Sequence, residues 1–312
     1  MITEYFTLPS PVDGLLLDGV FVLPEEPPKA VVQLAHGMCE HKMRYLPFME
    51  YLAQQGYACC MHDHRGHGKS VRTPEDLGYF YAGGGPAVVE DLHAVNTMLH
   101  EKFPGLPVYL FGHSMGSLAV RAYVKKYDDT IDALVVCGSP SKPAGVGAGK
   151  ALVRLLRAIK GEKARSKLVD SILNGSFDKP FKDENRKSAW LSSDPAVGEA
   201  FNADPLCNYT FTLNGYLSLL YLVNETYNEK NWGMKNKELP VLFVCGGDDP
   251  CVISAKKFVQ SVWHMERMGY KNVFRRVYSG MRHEILNEVD KETVYRELSA
   301  FFDDCLRGPD EF

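Results

Sequence analysis

No apolar run in the 312 residues approaches the roughly 18 that a membrane-spanning helix needs, so no transmembrane segment is expected. Charge of one sign is also missing. A net charge of −4 offers no basic surface for a nucleic acid, and none is expected as a partner. The opening Met1-Ile-Thr-Glu-Tyr-Phe-Thr7 has neither a basic nor an apolar stretch, which predicts no secretory signal. Cysteine pairs at metal or redox spacing are absent. The eight cysteines, at 39, 59, 60, 137, 207, 245, 251 and 305, include no Cys-x-x-Cys, and several fall in apolar runs. Free, buried thiols and a cytoplasmic location are expected. The histidine-rich His62-Asp-His-Arg-Gly-His67 lacks the i, i+4 helical face of a zinc helix. Neither a metal nor an organic cofactor is expected.

What is present centres on Val108-Tyr-Leu-Phe-Gly-His-Ser-Met-Gly-Ser-Leu-Ala-Val120. Four apolar residues run into Gly112, and Leu118, Ala119, Ala122, Tyr123 and Tyr127 then recur at helical spacing. A strand, a sharp turn and a helix follow from that pattern, with Gly112-x-Ser114-x-Gly116 at the bend. A serine on such a turn holds its hydroxyl clear of the backbone. Glycines on either side let strand and helix pass close by. The amide of Met115 opens the helix, where unpaired N–H groups receive negative charge. Ser114 is the candidate nucleophile.

A serine hydroxyl needs a base, and the base needs an orienting acid. On a sheet of this type they follow in the order serine, acid, histidine. Of ten histidines only His264 and His283 come late in the chain. His264 falls inside the helical pattern of residues 254–268. His283 follows the apolar-rich run 272–278 and the turn Ser279-Gly280, which makes it the candidate base. The continuous apolar run Val241-Leu-Phe-Val-Cys245 reads as a buried parallel strand. Gly246-Gly-Asp-Asp-Pro250 comes next, and spacing does not choose between Asp248 and Asp249.

Five elements occur in order: Ala35-His-Gly-Met-Cys-Glu-His41, Asp63-His-Arg-Gly-His-Gly-Lys-Ser70, Gly112-His-Ser-Met-Gly116, Gly246-Gly-Asp-Asp-Pro250 and Gly280-Met-Arg-His-Glu284. Together they resemble the α/β-hydrolase superfamily, and within it the monoacylglycerol lipase and lysophospholipase-like serine hydrolases, over roughly residues 30 to 305. The resemblance implies that Asp249 is the acid. It also implies an oxyanion hole formed by the backbone amides of Met38 and Met115. Met38 stands where that family often has a small residue, but a backbone N–H is what the role needs.

In chain order, residues 3–23 predict a hairpin turning at Pro11-Val-Asp-Gly14. Alternating strand and helix patterns from Ala30 to Cys137 predict a mostly parallel sheet flanked by helices. That rhythm stops from Ser139 to Glu238. The expectation is an α/β core of residues 1–138 and 239–312, with a helical cap of residues 139–238 inserted after the sixth strand. Lys150, Arg154, Arg157, Lys160, Lys163, Arg165 and Lys167, against Glu162 alone, share a predicted helix with Leu152, Val153, Leu155, Leu156 and Ile159. Such a helix suits transient contact with lipid interfaces or a solvated face. The helical stretch 213–227 is expected either to line an acyl pocket, through Leu219, Leu220, Tyr221 and Leu222, or equally to pack in the core.

The expected activity is hydrolysis of carboxylic esters of apolar acyl chains, with a small-molecule acyl ester as substrate. Two rivals use the same scaffold: a proline iminopeptidase-type aminopeptidase and an acyltransferase. The peptidase needs carboxylates aimed at an amine, and Glu184, Glu199 and Asp204 are available. A binding protein without catalysis is the third alternative.

Overall fold

In the computed structural model, which describes residues 1–308, the short apolar runs become strands of one sheet. The strands are β1 (Ile2–Pro9), β2 (Leu16–Leu23), β3 (Ala30–Ala35), β4 (Tyr57–His62), β5 (Val108–His113), β6 (Ala133–Cys137), β7 (Val241–Gly246) and β8 (Val273–Tyr278). Their order across the sheet is β1-β2-β4-β3-β5-β6-β7-β8. The β1–β2 hairpin and the β2–β4 pairing are antiparallel, and every other pairing is parallel. The helices are α1 (Leu46–Gln54), α2 (Gly84–Lys102), α3 (Met115–Tyr127), α4 (Val146–Lys160), α5 (Lys167–Leu173), α6 (Pro195–Ala203), α7 (Leu213–Thr226), α8 (Ala255–Met268) and α9 (Lys291–Arg307).

Both faces of the sheet are buried because neighbouring strand residues point to opposite sides. Tyr109 and Phe111 pack with Phe48 and Met49 of α1 and Leu298 and Phe302 of α9. Leu110, between them, packs on the other face with Leu92 of α2, Leu118 of α3 and Phe258 of α8. The ends of β3, β5, β7 and β8 therefore open on one edge, which is where such sheets bind ligands.

Helices α4 to α7 lie between β6 and β7, where no strand was predicted. Two local expectations change. The basic helix is shorter than its charge pattern suggested: it stops at Lys160, capped by Gly161 at φ 86°. Lys163 and Arg165 lie in the following connection, where Lys163 pairs with Asp76 and Arg165 donates to the Leu77 carbonyl. Helix α7, read as part of the insertion, packs directly against α2 and α3. Its Leu213, Tyr216 and Leu222 are fully buried in the core beside α3.

Four histidines cluster behind the turn that follows β3. The His36 ring lies 4.4 Å from His64 and 5.2 Å from His67, and His62 lies 5.2 Å from His64. All four are buried, and both ring nitrogens of His62 and His64 lack a hydrogen-bond partner among the described residues. Burial pushes His62 and His67 down to about 4 and holds His36 and His64 well below the ordinary histidine value. The unfolded chain protonates near pH 6.5, so the contribution is complete above that pH and is lost as the pH falls toward 4. Charging these buried imidazoles should cost the fold a substantial part of its stability over that window. Urea unfolding at pH 7.5, 6 and 5 is expected to show a steep fall. A free energy unchanged from pH 7.5 to 5 would mean that the fold tolerates the charged imidazoles.

Candidate active site

Ser114 sits between β5 and α3 with φ 53° and ψ −116°, a conformation costly for any residue with a Cβ. The bend persists because its surroundings fix it. The Ser114 N–H donates to the Cys137 carbonyl at 3.0 Å, and the Ser114 carbonyl accepts from the Ser117 N–H, also at 3.0 Å. The flanking glycines are required by close approach. A Cβ on Gly116 would lie 2.2 Å from the Ala35 carbonyl oxygen, and one on Gly112 2.6 Å from that of Gly116.

Burial separates the two aspartates after β7. Asp248 is exposed, whereas Asp249 is buried. The His283 Nδ1–H donates to the Asp249 carboxylate, at 2.9 Å to Oδ2 and 3.0 Å to Oδ1. Oδ1 also accepts from the Cys251 N–H at 2.8 Å, which fixes the carboxylate's orientation. The Nε2 of His283 is buried and has no partner among the described residues. Ser114, His283 and Met38 border one small cavity of about 20 Å³. The other late histidine, His264, lies in α8 against Tyr227 and Trp232.

Two aromatic rings pack on His283: that of His113, 4.7 Å away, and that of Trp190, 4.9 Å away. The turn that carries Trp190 is tied to the histidine loop: the Glu284 N–H donates to the Leu191 carbonyl at 2.7 Å, and Arg282 to the Ala189 carbonyl at 2.7 Å.

A buried charge network links these parts, and no periodicity in the sequence signals it. The Gly37 N–H donates to Glu40 Oε1 at 2.6 Å, tying down the turn that carries Met38. Tyr45 donates to the same oxygen at 2.8 Å and lies 2.9 Å from His113 Nδ1. The His113 Nε2–H donates to the His283 carbonyl at 3.2 Å. Arg44 bridges Glu40 and, in a bidentate pair at 2.7 Å, Glu284. Burial alone would raise Glu40; its bond to His113 and the Arg44 charge outweigh that and hold it well below the usual carboxylate range. The Glu40 carboxylate in turn raises His113 against the effect of burial. Glu40 thus ties together the turn that carries Met38 and, through His113, the loop that carries His283.

A cavity of about 260 Å³ opens beside Ser114, Met38 and Met115. Leu118, Ile172, Leu173, Leu219, Leu220 and Val223 wall it, and among the described residues no charged side chain lines it. Leu219 and Leu220 were expected there. Tyr221 and Leu222 were too, but neither reaches it: Leu222 belongs to the core, and Tyr221 packs against Gly85 of α2. Beyond Trp190 and Met38 lies a second, polar cavity of about 210 Å³ that includes Asp170, Asn174, Asp178 and Asn208.

Two sets of side chains bring three ligand atoms within 4.8 Å of one another: His41, Asp204 and Cys207, and Asp249, Cys251 and His283. The first is accounted for by a hydrogen bond between His41 Nε2 and Asp204 at 2.8 Å. The second contains the aspartate–histidine pair itself. Glu184, Glu199 and Asp204 do not reach the cavity beside Ser114.

This strand order, with a serine forced to positive φ between β5 and α3, defines an α/β-hydrolase. Over residues 26–290 the chain matches the family described as "Serine aminopeptidase, S33", and it belongs to that family. It is similar to the monoacylglycerol lipase of Mycolicibacterium smegmatis, at 27% identity over 89% of each chain. It is 26% identical to the human monoglyceride lipase, covering 93% of this chain and 87% of that one. A thermostable carboxyl esterase from Bacillus coagulans shares the fold, with a TM-score of 0.89, 23% identity and coverage of 98% and 99% of the two chains. The protein is a hydrolase of the monoacylglycerol lipase-like kind.

Proposed function

We propose that this serine ester hydrolase cleaves esters of apolar acyl chains through Ser114, His283 and Asp249. The observation that carries the reading is a charge-free apolar cavity beginning at Ser114, on the same sheet edge as the Asp249–His283 pair. Ser114 Oγ attacks the acyl carbonyl while His283 Nε2 takes its proton. Asp249 fixes the tautomer, with the proton on Nδ1, and stabilises the imidazolium. The amides of Met38 and Met115 hold the oxyanion. His283 then protonates the departing alcohol, and water, activated by the same nitrogen, releases the acid and restores Ser114. The acyl chain occupies the cavity walled by α5 and α7; the polar cavity beyond Trp190 suits the alcohol.

Residues 139–238 act as the cap, with α7 as the element that roots it on α2 and α3. Its outer surface supports transient contact with a lipid interface. Leu155 and Ile159 of α4 and Leu168 and Ile172 of α5 are 57–70% exposed, beside Lys150, Arg154, Arg157 and Lys160. None of the eight cysteines is in a disulfide, which suits a reducing compartment such as the cytoplasm.

Extending the acyl chain tests the reading. Each buried methylene is worth about 0.8 kcal/mol, so four of them should raise kcat/KM roughly a hundredfold. The comparison runs along p-nitrophenyl acetate, butyrate, hexanoate and decanoate, with aminoacyl p-nitroanilides beside them. A steady fall from acetate onward, or faster cleavage of the anilides, would remove the apolar-ester reading.

A further inference from the structure

Away from Ser114, a cavity of about 440 Å³ runs along one face of α8. Lys257, Ser261 and His264, spaced i, i+4 and i+7, share that face, and Arg267 ends it. Lys142 closes it from the segment after β6, and Tyr227 and Glu229 from the segment after α7. Three cations face one anion here, a net of two positive charges (3 − 1). Glu229 is taken by Arg267 at 3.3 Å. Lys142 and Lys257 have no carboxylate partner among the described residues.

A second observation comes from behind the cavity. Arg121 of α3 is completely buried yet has no carboxylate partner among the described residues. Its Nε and Nη2 have no acceptor, and Nη1 reaches only the Ser139 hydroxyl at 3.3 Å. The guanidinium lies over the ring of Tyr227 at 4.6 Å, and that ring forms part of the cavity wall. Leaving a charge buried and unpaired is costly, and nearby negative charge relieves it. The field of Arg121 reaches the cavity: His264 is pushed down to about 4, first by burial and then by Arg121.

We infer that this cavity binds a small phosphate-bearing anion, held by Lys142 and Lys257 and offsetting the buried charge of Arg121 behind Tyr227. Phosphate suits the donor set: two mobile ammonium groups can each reach a separate oxygen, while the Ser261 hydroxyl is engaged with the Lys257 carbonyl and Tyr227. Trp263, half-exposed at the rim, lies where it can report binding or stack on an organic substituent. The site is separate from Ser114, but Lys142 stands between Ser141 and Pro143, which both line the acyl cavity. A ligand here therefore lies against the outside of that cavity's wall.

The test titrates the intact protein with inorganic phosphate, and separately with phenyl phosphate, at constant ionic strength balanced by chloride. The melting midpoint and tryptophan fluorescence are followed, with Trp263→Phe identifying the reporting residue. The expected result is a saturable rise in midpoint with a matching fluorescence change. Saturation by inorganic phosphate marks a free-anion site, and saturation by phenyl phosphate alone marks a monoester site; either supports the assignment. Lys257→Gln and Lys142→Gln, both substitutions outside the core, should each weaken binding about tenfold. No effect beyond that of chloride at tens of millimolar, or an undiminished effect in the double variant, would overturn the assignment.

Discussion

Replacing Ser114 with alanine is expected to lower ester turnover on the order of 10⁴ to 10⁶-fold, the range seen when a serine nucleophile is removed. The loss is large because no neighbour can substitute. Ser117, the next hydroxyl, is turned back to the Ser114 carbonyl at 2.5 Å. Stability should hardly change, because alanine occupies the same φ of 53° at the same cost. Ser114→Gly supplies the control. It should be equally inactive and more stable by about 1 kcal/mol, because glycine adopts positive φ without strain. Activity is read with a p-nitrophenyl ester and stability by urea unfolding. A folded Ser114→Ala enzyme with near-normal turnover would exclude Ser114 as nucleophile.

Asp249→Asn is expected to cost about 10⁴-fold, by analogy with the same change in a serine protease triad. The buried carboxylate accepts from His283 Nδ1–H, whereas an asparagine amide can donate to Nδ1. That would place the imidazole proton on Nε2, where it cannot accept the proton of Ser114. Asp248→Asn, at an exposed position one residue earlier, should leave turnover within about twofold, as surface substitutions usually do. Comparison of kcat for the two variants on one ester decides the register. A damaging Asp248→Asn beside a mild Asp249→Asn would reverse it.

These two neighbours also mark where reading the sequence stops. The bend at Ser114 was legible because strand, glycine spacing and helix agree locally. The placement of His283 just past a strand was legible because only one late histidine follows one. Asp248 and Asp249 share a spacing; the family resemblance pointed to Asp249, and the physical difference between them, burial against His283, is defined by the folded loop. Glu40, Arg44 and Glu284 were passed over because charged residues in turns are usually solvated. Nothing in a linear pattern tells that three of them meet beneath the site. Both sides of α7 are apolar, so its sequence could not tell the wall formed by Leu219 and Leu220 from the core packing of Leu222. The end of α4 was available in principle: Gly161 is a helix stop, and the run of basic residues continuing past it obscured the boundary.

The central claim is that acyl transfer passes through Ser114 Oγ. Its most direct test is to treat the protein with a fluorophosphonate probe, measure the intact mass and map the modified peptide. The expected result is one adduct per chain, on Ser114, with ester hydrolysis falling in proportion to labelling. An adduct on another residue, or hydrolysis that continues in fully labelled protein, would contradict it.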